Sequence, residues 1–221
     1  MEFLDEAIEA YVDRYTTEEN KVLKELNRET YSRVLIPRML AGHLQGRVIS
    51  MFSHMINPRQ VLEIGTYTGY SALCWAEGLQ DEGQVHTIDI NEELEEMVAR
   101  YINEAGQTNS VVTYLGNAAD IIPSIDQTFD VVYIDADKDN LEYKHIIAQC
   151  YLKINDDKSL AIPYLESVWK EDQSNPEVLA DLAKANHFIL EFDKFSFTLL
   201  DTIYSSSSGV APKLLIITTI L

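Results

Sequence analysis

Between residues 60 and 151, short apolar runs alternate with amphipathic stretches of helical period, and this alternation constrains the fold more than any other feature of the chain. The runs 60–64, 85–90, 111–115 and 130–134 read as buried strands. Between them, 71–79 and 92–105 read as helices, the second with Leu94, Met97, Val98, Tyr101, Ile102 and Ala105 on one face. Segment 119–125 is a short connection, and a helix after the fourth strand turns Tyr143, Ile146, Ile147, Cys150 and Tyr151 inward. Strand–helix alternation at this pitch implies parallel strands joined by right-handed crossovers, with helices on both faces of the sheet. The fold class is α/β.

The flanks read differently. Leu4, Ile8, Tyr11, Val12 and Tyr15 recur at helical spacing, as do Leu40, Leu44, Val48, Phe52 and Met55 after Pro37, so residues 1–58 are predicted to be helical and 59–221 to form the α/β core. Beyond residue 155 the spacing predicts a fifth strand at 159–164 and a helix over 176–189 with Pro in its first turn. The β-rich runs 195–203 and 213–221, separated by 204–209, read as a hairpin that makes one terminal strand antiparallel to the rest. No Pro/Gly/Ser-rich linker divides the 221 residues, which suits a single domain over 1–221.

Charge narrows the class of partner. A net charge of -19, with no Lys/Arg-rich stripe to offset it, repels a phosphate backbone and argues against nucleic acid. It also suits a neutral or cationic small molecule better than an anionic acyl-CoA. The first residues lack the basic and apolar regions of a signal peptide, and no apolar run reaches the roughly 18 residues that span a bilayer, so no membrane partner and a cytoplasmic location are expected. Cys74 and Cys150 lie on apolar helical stretches outside any CxxC pair and read as buried thiols.

In such a sheet, ligands bind at the carboxyl ends of the strands. The first strand runs Val61-Leu62-Glu63-Ile64 into Gly65-Thr66-Tyr67-Thr68-Gly69-Tyr70-Ser71. Gly65 and Gly69 let the chain turn and a ligand approach the backbone, and Ser71 with the N–H groups of the helix start offers donors to a carboxylate. The second strand closes on Asp89, a carboxylate placed to accept ribose hydroxyls. The spacing GxxxG is not the GxGxxG of a pyrophosphate-binding fingerprint. Glu63 ahead of the turn and Asp89 beyond it favour a nucleoside over a purely geometric use of glycine. Packing of the turn remains the alternative for Tyr67 and Tyr70, and bonding to its own backbone the alternative for Asn117.

Those residues, with His86-Thr87-Ile88-Asp89-Ile90-Asn91, Gly116-Asn117-Ala118, Tyr133-Ile134-Asp135-Ala136-Asp137-Lys138 and Gly42-His43-Leu44-Gln45-Gly46, resemble the catechol and caffeoyl-CoA O-methyltransferase family from about Arg38 through Tyr151. The resemblance implies a Rossmann-like methyltransferase sheet, S-adenosylmethionine (SAM) as cofactor, a small hydroxylated acceptor of catechol or phenol type, and a homodimer. It implies that Glu63, Gly65, Tyr67, Gly69 and Ser71 hold the methionine portion, that Asp89 takes the ribose, that Asn117 and Ala118 lie beside adenine, and that Asp135 and Asp137 also face the cofactor. Lys138 matches the family's general base and Asp135 its first metal carboxylate, with a solvated loop and helix cap as the alternative for both.

The resemblance also implies a divalent cation such as magnesium, and there the sequence departs from the family. The family's Asp-Asn pair, placed by the following tryptophan, falls on Leu165 and Glu166 ahead of Trp169. Leucine cannot ligate a hard cation, so Asp135 and Glu166 are the candidate metal ligands, a pair that needs water or substrate to complete it. Glu166 as ligand stands against a plain surface carboxylate. His43 reads as facing a pocket or as merely packed or exposed, and Trp169 as a wall for an aromatic ring or as core. Three readings follow: an active O-methyltransferase, a cofactor-binding relative that has lost turnover, and a nucleotide-dependent oxidoreductase.

Overall fold

Three helices precede the first strand: α1 (Glu6–Tyr15), α2 (Lys21–Arg33) and α3 (Gly42–Ile56). The computed structural model describes residues 6–135, 141–153, 158–172, 176–178, 180–182, 184–185 and 215–218, in two compact units, 1–116 and 117–221. Among the described residues no helix is long and apolar enough to cross a membrane.

In the first unit β1 (Gln60–Ile64), β2 (Gln84–Asp89) and β3 (Val111–Leu115) form a parallel array, with β1 and β3 on either side of β2. Every residue of β1 after Gln60 is buried, as are the four central residues of β2, so both faces of these strands are covered. In β3 the residues after Val111 alternate between half-buried and exposed. Helix α4 (Tyr70–Ala76), buried at all seven positions, follows β1, and α5 (Glu95–Glu104) follows β2 and turns Val98, Tyr101 and Ile102 inward. Asn20 caps α2 by accepting from Leu23 N–H, and Glu29 near its end accepts from the Tyr101 hydroxyl (2.7 Å) and from Arg100 (2.8 Å), fastening α2 to α5.

Helix α3 forms where its periodicity places it but buries the opposite face. Gly46, Ile49, Ser50 and Ser53 are buried, while Leu44, Val48 and Met55 of the periodic set are exposed. Small residues let α3 approach α4 closely: a Cβ built on Gly46 would stand 2.5 Å from the Tyr70 ring. Gly78 meets α3 in the same way, its would-be Cβ 2.3 Å from the backbone nitrogen of His54.

The imidazole of His86, on β2, lies between the Tyr114 hydroxyl (2.9 Å from Nδ1) and the Gln60 side-chain carbonyl (3.0 Å from Nε2). A neutral ring satisfies both, accepting from Tyr114 at Nδ1 and donating to Gln60 at Nε2. Burial accordingly holds its pKa below the ordinary value. The unfolded chain then binds more protons than the folded one, so the contribution of His86 is complete above about pH 6.5 and is lost as pH falls through the folded value. Urea melts should show wild type losing more stability between pH 7.5 and 5.5 than His86→Gln. A stability gap between the two that stays constant with pH would rule this out.

In the second unit β4 (Val131–Ile134) pairs with β5 (Leu215–Thr218), and the two run parallel. The terminal strand expected to be antiparallel is therefore parallel to its described neighbour, and the run 195–203 with the loop 204–209 lies outside the described residues. Helix α6 (Ala118–Ile121) precedes β4, and α7 (Leu141–Lys153) follows it, burying Ile146 and Cys150 as predicted and also His145 and Gln149. His145 pairs with Asp181 at 3.1 Å. The fifth strand expected at 159–164 is instead a helical turn leading into α8 (Ile162–Glu171). Pro163 sits in the first turn of α8, where its missing N–H costs nothing, whereas in a central strand it would break the ladder. Ala161, Leu165 and Val168 are buried at helical spacing. Helical residues follow Pro176 as expected, as far as residue 185 is described. Both cysteines are free and buried, and burial pushes the Cys74 thiol up to about 12.

Candidate active site

The turn leaving β1 has three left-handed positions, two of them glycine, which adopts that conformation without strain. Gly65 (φ 104°) and Gly69 (φ 86°) are left-handed, and so is Tyr67 (φ 50°), a conformation that costs a side-chain-bearing residue of order 1 kcal/mol and persists only where neighbours enforce it. Two bonds hold it there: Tyr67 N–H donates to Asp89 Oδ2 at 2.6 Å, and the Tyr67 hydroxyl donates to the carbonyl of Ile36 at 2.9 Å. Gly69 N–H closes the turn on Thr66 carbonyl at 2.8 Å, and Gly69 caps α4. Ser71 lies buried in the first turn of that helix. Tyr70 is core, its hydroxyl bonded to Glu19, so the packing alternative holds for it.

Asp89 ends β2 half-buried. Its second oxygen accepts from Asn91 N–H at 2.9 Å, so two backbone donors fix the plane of the carboxylate while each oxygen keeps a further lone pair for a ligand. It borders a pocket lined also by Thr66, Tyr67, Asn91, Val98 and Leu115. Ile90, next in the chain and 80% exposed, offers an apolar face beside this carboxylate.

Glu63 is fully buried one register position from the turn, opposite Thr87. The Thr87 hydroxyl donates to Glu63 Oε2 at 2.6 Å, which leaves its oxygen to accept from Thr66 at 2.6 Å. This Thr66–Thr87–Glu63 relay ties the floor of the turn to β2. Sequence reasoning selected Glu63, Gly65, Tyr67, Gly69, Ser71 and Asp89, and the structure brings them together. It missed Thr66 and Thr87. The signal for Thr87 was the parallel register itself, which sets it against Glu63.

The remaining candidates belong to the second unit. Asn117 caps α6, its Oδ1 accepting from Ala119 N–H at 2.8 Å, and Ala118 is buried. Asp135 follows β4, half-buried, and accepts from the Tyr133 hydroxyl at 3.2 Å. Asp137 and Lys138 lie outside the described residues. Leu165 is fully buried on α8 and Glu166 is exposed there, so the pair implied by the resemblance lies on a helix. Among the described residues no group of three or more His, Cys, Asp or Glu could hold a metal ion. Trp169 packs against the core of Ala148, Ala161 and Leu165, and His43 bonds the carbonyl of Thr17 at 2.7 Å, so neither is shown facing a pocket.

A parallel α/β array with a glycine turn leaving its first strand, and a fixed carboxylate closing the second, is the frame of a nucleoside-binding enzyme. The family model described as O-methyltransferase matches residues 13–192, and the chain belongs to that family. It is 34% identical over 128 residues to a caffeoyl-CoA O-methyltransferase of Petroselinum crispum, covering 55% of this chain and 53% of that protein. To a catechol O-methyltransferase of Mycobacterium tuberculosis it is 34% identical over 106 residues, 48% of each. The chain thus spans about half the length of the curated relatives it matches. The SAH-bound methyltransferase PaMTH1 of Podospora anserina superposes with a TM-score of 0.64 at 20% identity, over 86% of this chain and 89% of that one. An O-methyltransferase of Bacillus cereus in complex with SAH gives 0.62 at 22%, over 84% and 86%. These likenesses establish the α/β methyltransferase fold.

Proposed function

We propose that the chain is a SAM-dependent O-methyltransferase acting on a hydroxyl of a small catechol- or phenol-like molecule, in the cytoplasm and as a homodimer. The observation that carries the reading is the coupling of the glycine turn to Asp89, with the family match beside it. SAM fits these residues: the left-handed turn opens backbone to a close ligand, and Asp89 keeps acceptor capacity for the ribose hydroxyls. When bound, SAM supplies an activated methyl group on a sulfonium. Glu63 anchors the floor of the turn through Thr87, and Gly65, Tyr67, Gly69 and Ser71 line the methionine portion. In this reading Asn117 and Ala118 border adenine, and Asp135 and Asp137 face the cofactor. Lys138 takes the proton from the acceptor hydroxyl as its oxygen captures the methyl group.

A second reading, cofactor binding without turnover, draws on Leu165 and Glu166 standing on a helix where the family's metal-binding pair is implied. Calorimetry with SAM, S-adenosylhomocysteine and NAD tests the frame, and binding of NAD alone would return the chain to the oxidoreductases. Methyl transfer to a panel of catechols and phenols, run with magnesium and with a chelator, then decides between turnover and its loss. Turnover of at least one acceptor is expected. None on any acceptor, in a protein that binds SAM, favours the second reading.

A further inference from the structure

Helix α6 cannot complete its own hydrogen bonding. The helical turn that follows it, Ile122–Ser124, carries Pro123. In a continuing helix the carbonyl of Ala119 would accept from the N–H of residue 123, which proline lacks. The N–H of Ile122, one residue nearer, donates to the carbonyl of Ala118 instead. Ala119 is buried, and a buried carbonyl left without a donor costs free energy.

The donor comes from α7. The side-chain nitrogen of Gln149 stands 3.2 Å from the Ala119 carbonyl. It also stands 3.4 Å from Nε2 of His145, but that nitrogen donates to Asp181 at 3.1 Å and has no lone pair left to offer, so the carbonyl is the acceptor. Gln149 is only 3% exposed, and its Oε1 has no partner among the described residues. A leucine would fill the same space without stranding an acceptor, so what the amide contributes here is its N–H. One turn further along α7, Lys153 donates to the carbonyls of Pro123, at 3.3 Å, and of Ile125. Residues four apart share a helix face, so one face of α7 supplies the donors that segment 119–125 cannot supply for itself.

We propose that Gln149 is a positioning residue for the adenine of the cofactor, acting through Ala119. The inference rests on the reading above that Asn117 and Ala118 border that base. Ala119 is gripped on both sides: Asn117 Oδ1 accepts from its N–H at 2.8 Å, and Gln149 donates to its carbonyl. Releasing the carbonyl loosens the residue that Asn117 caps, and the two positions beside the base loosen with it.

Calorimetry with S-adenosylhomocysteine makes the test. Gln149→Leu is expected to bind it about fivefold more weakly than wild type, the worth of one neutral hydrogen bond. Pro123→Ala returns the missing N–H to the chain, so Gln149→Leu/Pro123→Ala should regain most of that affinity, a rescue that general loosening of the core would not give. Where Gln149→Leu does not fold, Lys153→Met keeps the side-chain stem, removes the donor to Pro123 and Ile125, and should weaken binding about twofold. Wild-type affinity in a folded Gln149→Leu protein, or a double variant as weak as the single one, overturns the positioning role and leaves cofactor binding standing. Lys153→Met with wild-type affinity does so when it is the variant measured. A wild-type chain that does not bind S-adenosylhomocysteine overturns both the positioning role and the cofactor reading beneath it.

Discussion

Replacing Asp89 with alanine is expected to weaken SAM binding by about 1.5–3 kcal/mol, roughly tenfold to a hundredfold or more, the worth of hydrogen bonds to a charged acceptor. Two losses combine. The ribose hydroxyls lose their acceptor, and Tyr67 loses the bond from its N–H that helps to hold it left-handed. Asp89→Asn separates the two. An amide has one oxygen for the two backbone donors of Tyr67 and Asn91, so its NH2 group must face one of them, and the turn loosens even though the side chain keeps its size. The asparagine variant is therefore expected to bind SAM several-fold more weakly, with alanine weaker still. Calorimetry beside a thermal melt makes the check: a folded Asp89→Ala protein with unchanged affinity for SAM and for its demethylated product removes the basis of the functional reading.

Glu63, the turn and Asp89 were legible because each occupies a position fixed by a strand end, and strand ends follow from short apolar runs between helical ones. Thr87 was not legible as a site residue, because its role depends on which residue of β1 it faces, and register is a tertiary property. The same distinction explains the misread elements. The run 159–164 contains enough apolar residues for a strand, but Pro163 and the spacing of Ala161, Leu165 and Val168 already pointed to a helix. On α3, counting apolar residues selected the exposed stripe, whereas close packing on α4 selected Gly46, Ser50 and Ser53. Small residues at those spacings were the available signal, and hydrophobic periodicity does not score it. The expected antiparallel strand came from the hairpin text of 195–221, yet strand direction is decided by pairing, and β5 pairs parallel to β4.

Replacing Glu77 with alanine is expected to cost the largest share of stability, about 3 kcal/mol, close to the lower end for breaking a buried ion pair because these groups keep some solvent contact. Arg47 grips Glu77 with both terminal nitrogens, at 2.9 and 3.0 Å, and the side chains are only 14% and 22% exposed. Burial alone would lower the pKa of the guanidinium, yet its bonds to Glu77 hold it above the ordinary value. The Ser50 hydroxyl and the Asn20 amide donate to the same carboxylate, so Glu77, just beyond α4, fastens both α3 and the start of α2. Removing it leaves a charged guanidinium against Cys74, a thiol that burial keeps protonated and unable to serve as counter-ion. The paired substitution Arg47→Met/Glu77→Leu removes both charges and is expected to recover most of the loss, as replacement of a whole buried pair by apolar groups often does. Denaturant melts of the three proteins decide the matter, and a cost below about 0.5 kcal/mol for the alanine variant would reduce the pair to a surface contact. The folded fraction of Glu77→Ala should still bind SAM with wild-type affinity, because the network grips the far side of α4 and leaves the Tyr67–Asp89 bond untouched. Stability and cofactor affinity would then be set by separate contacts of the same helix-flanked turn.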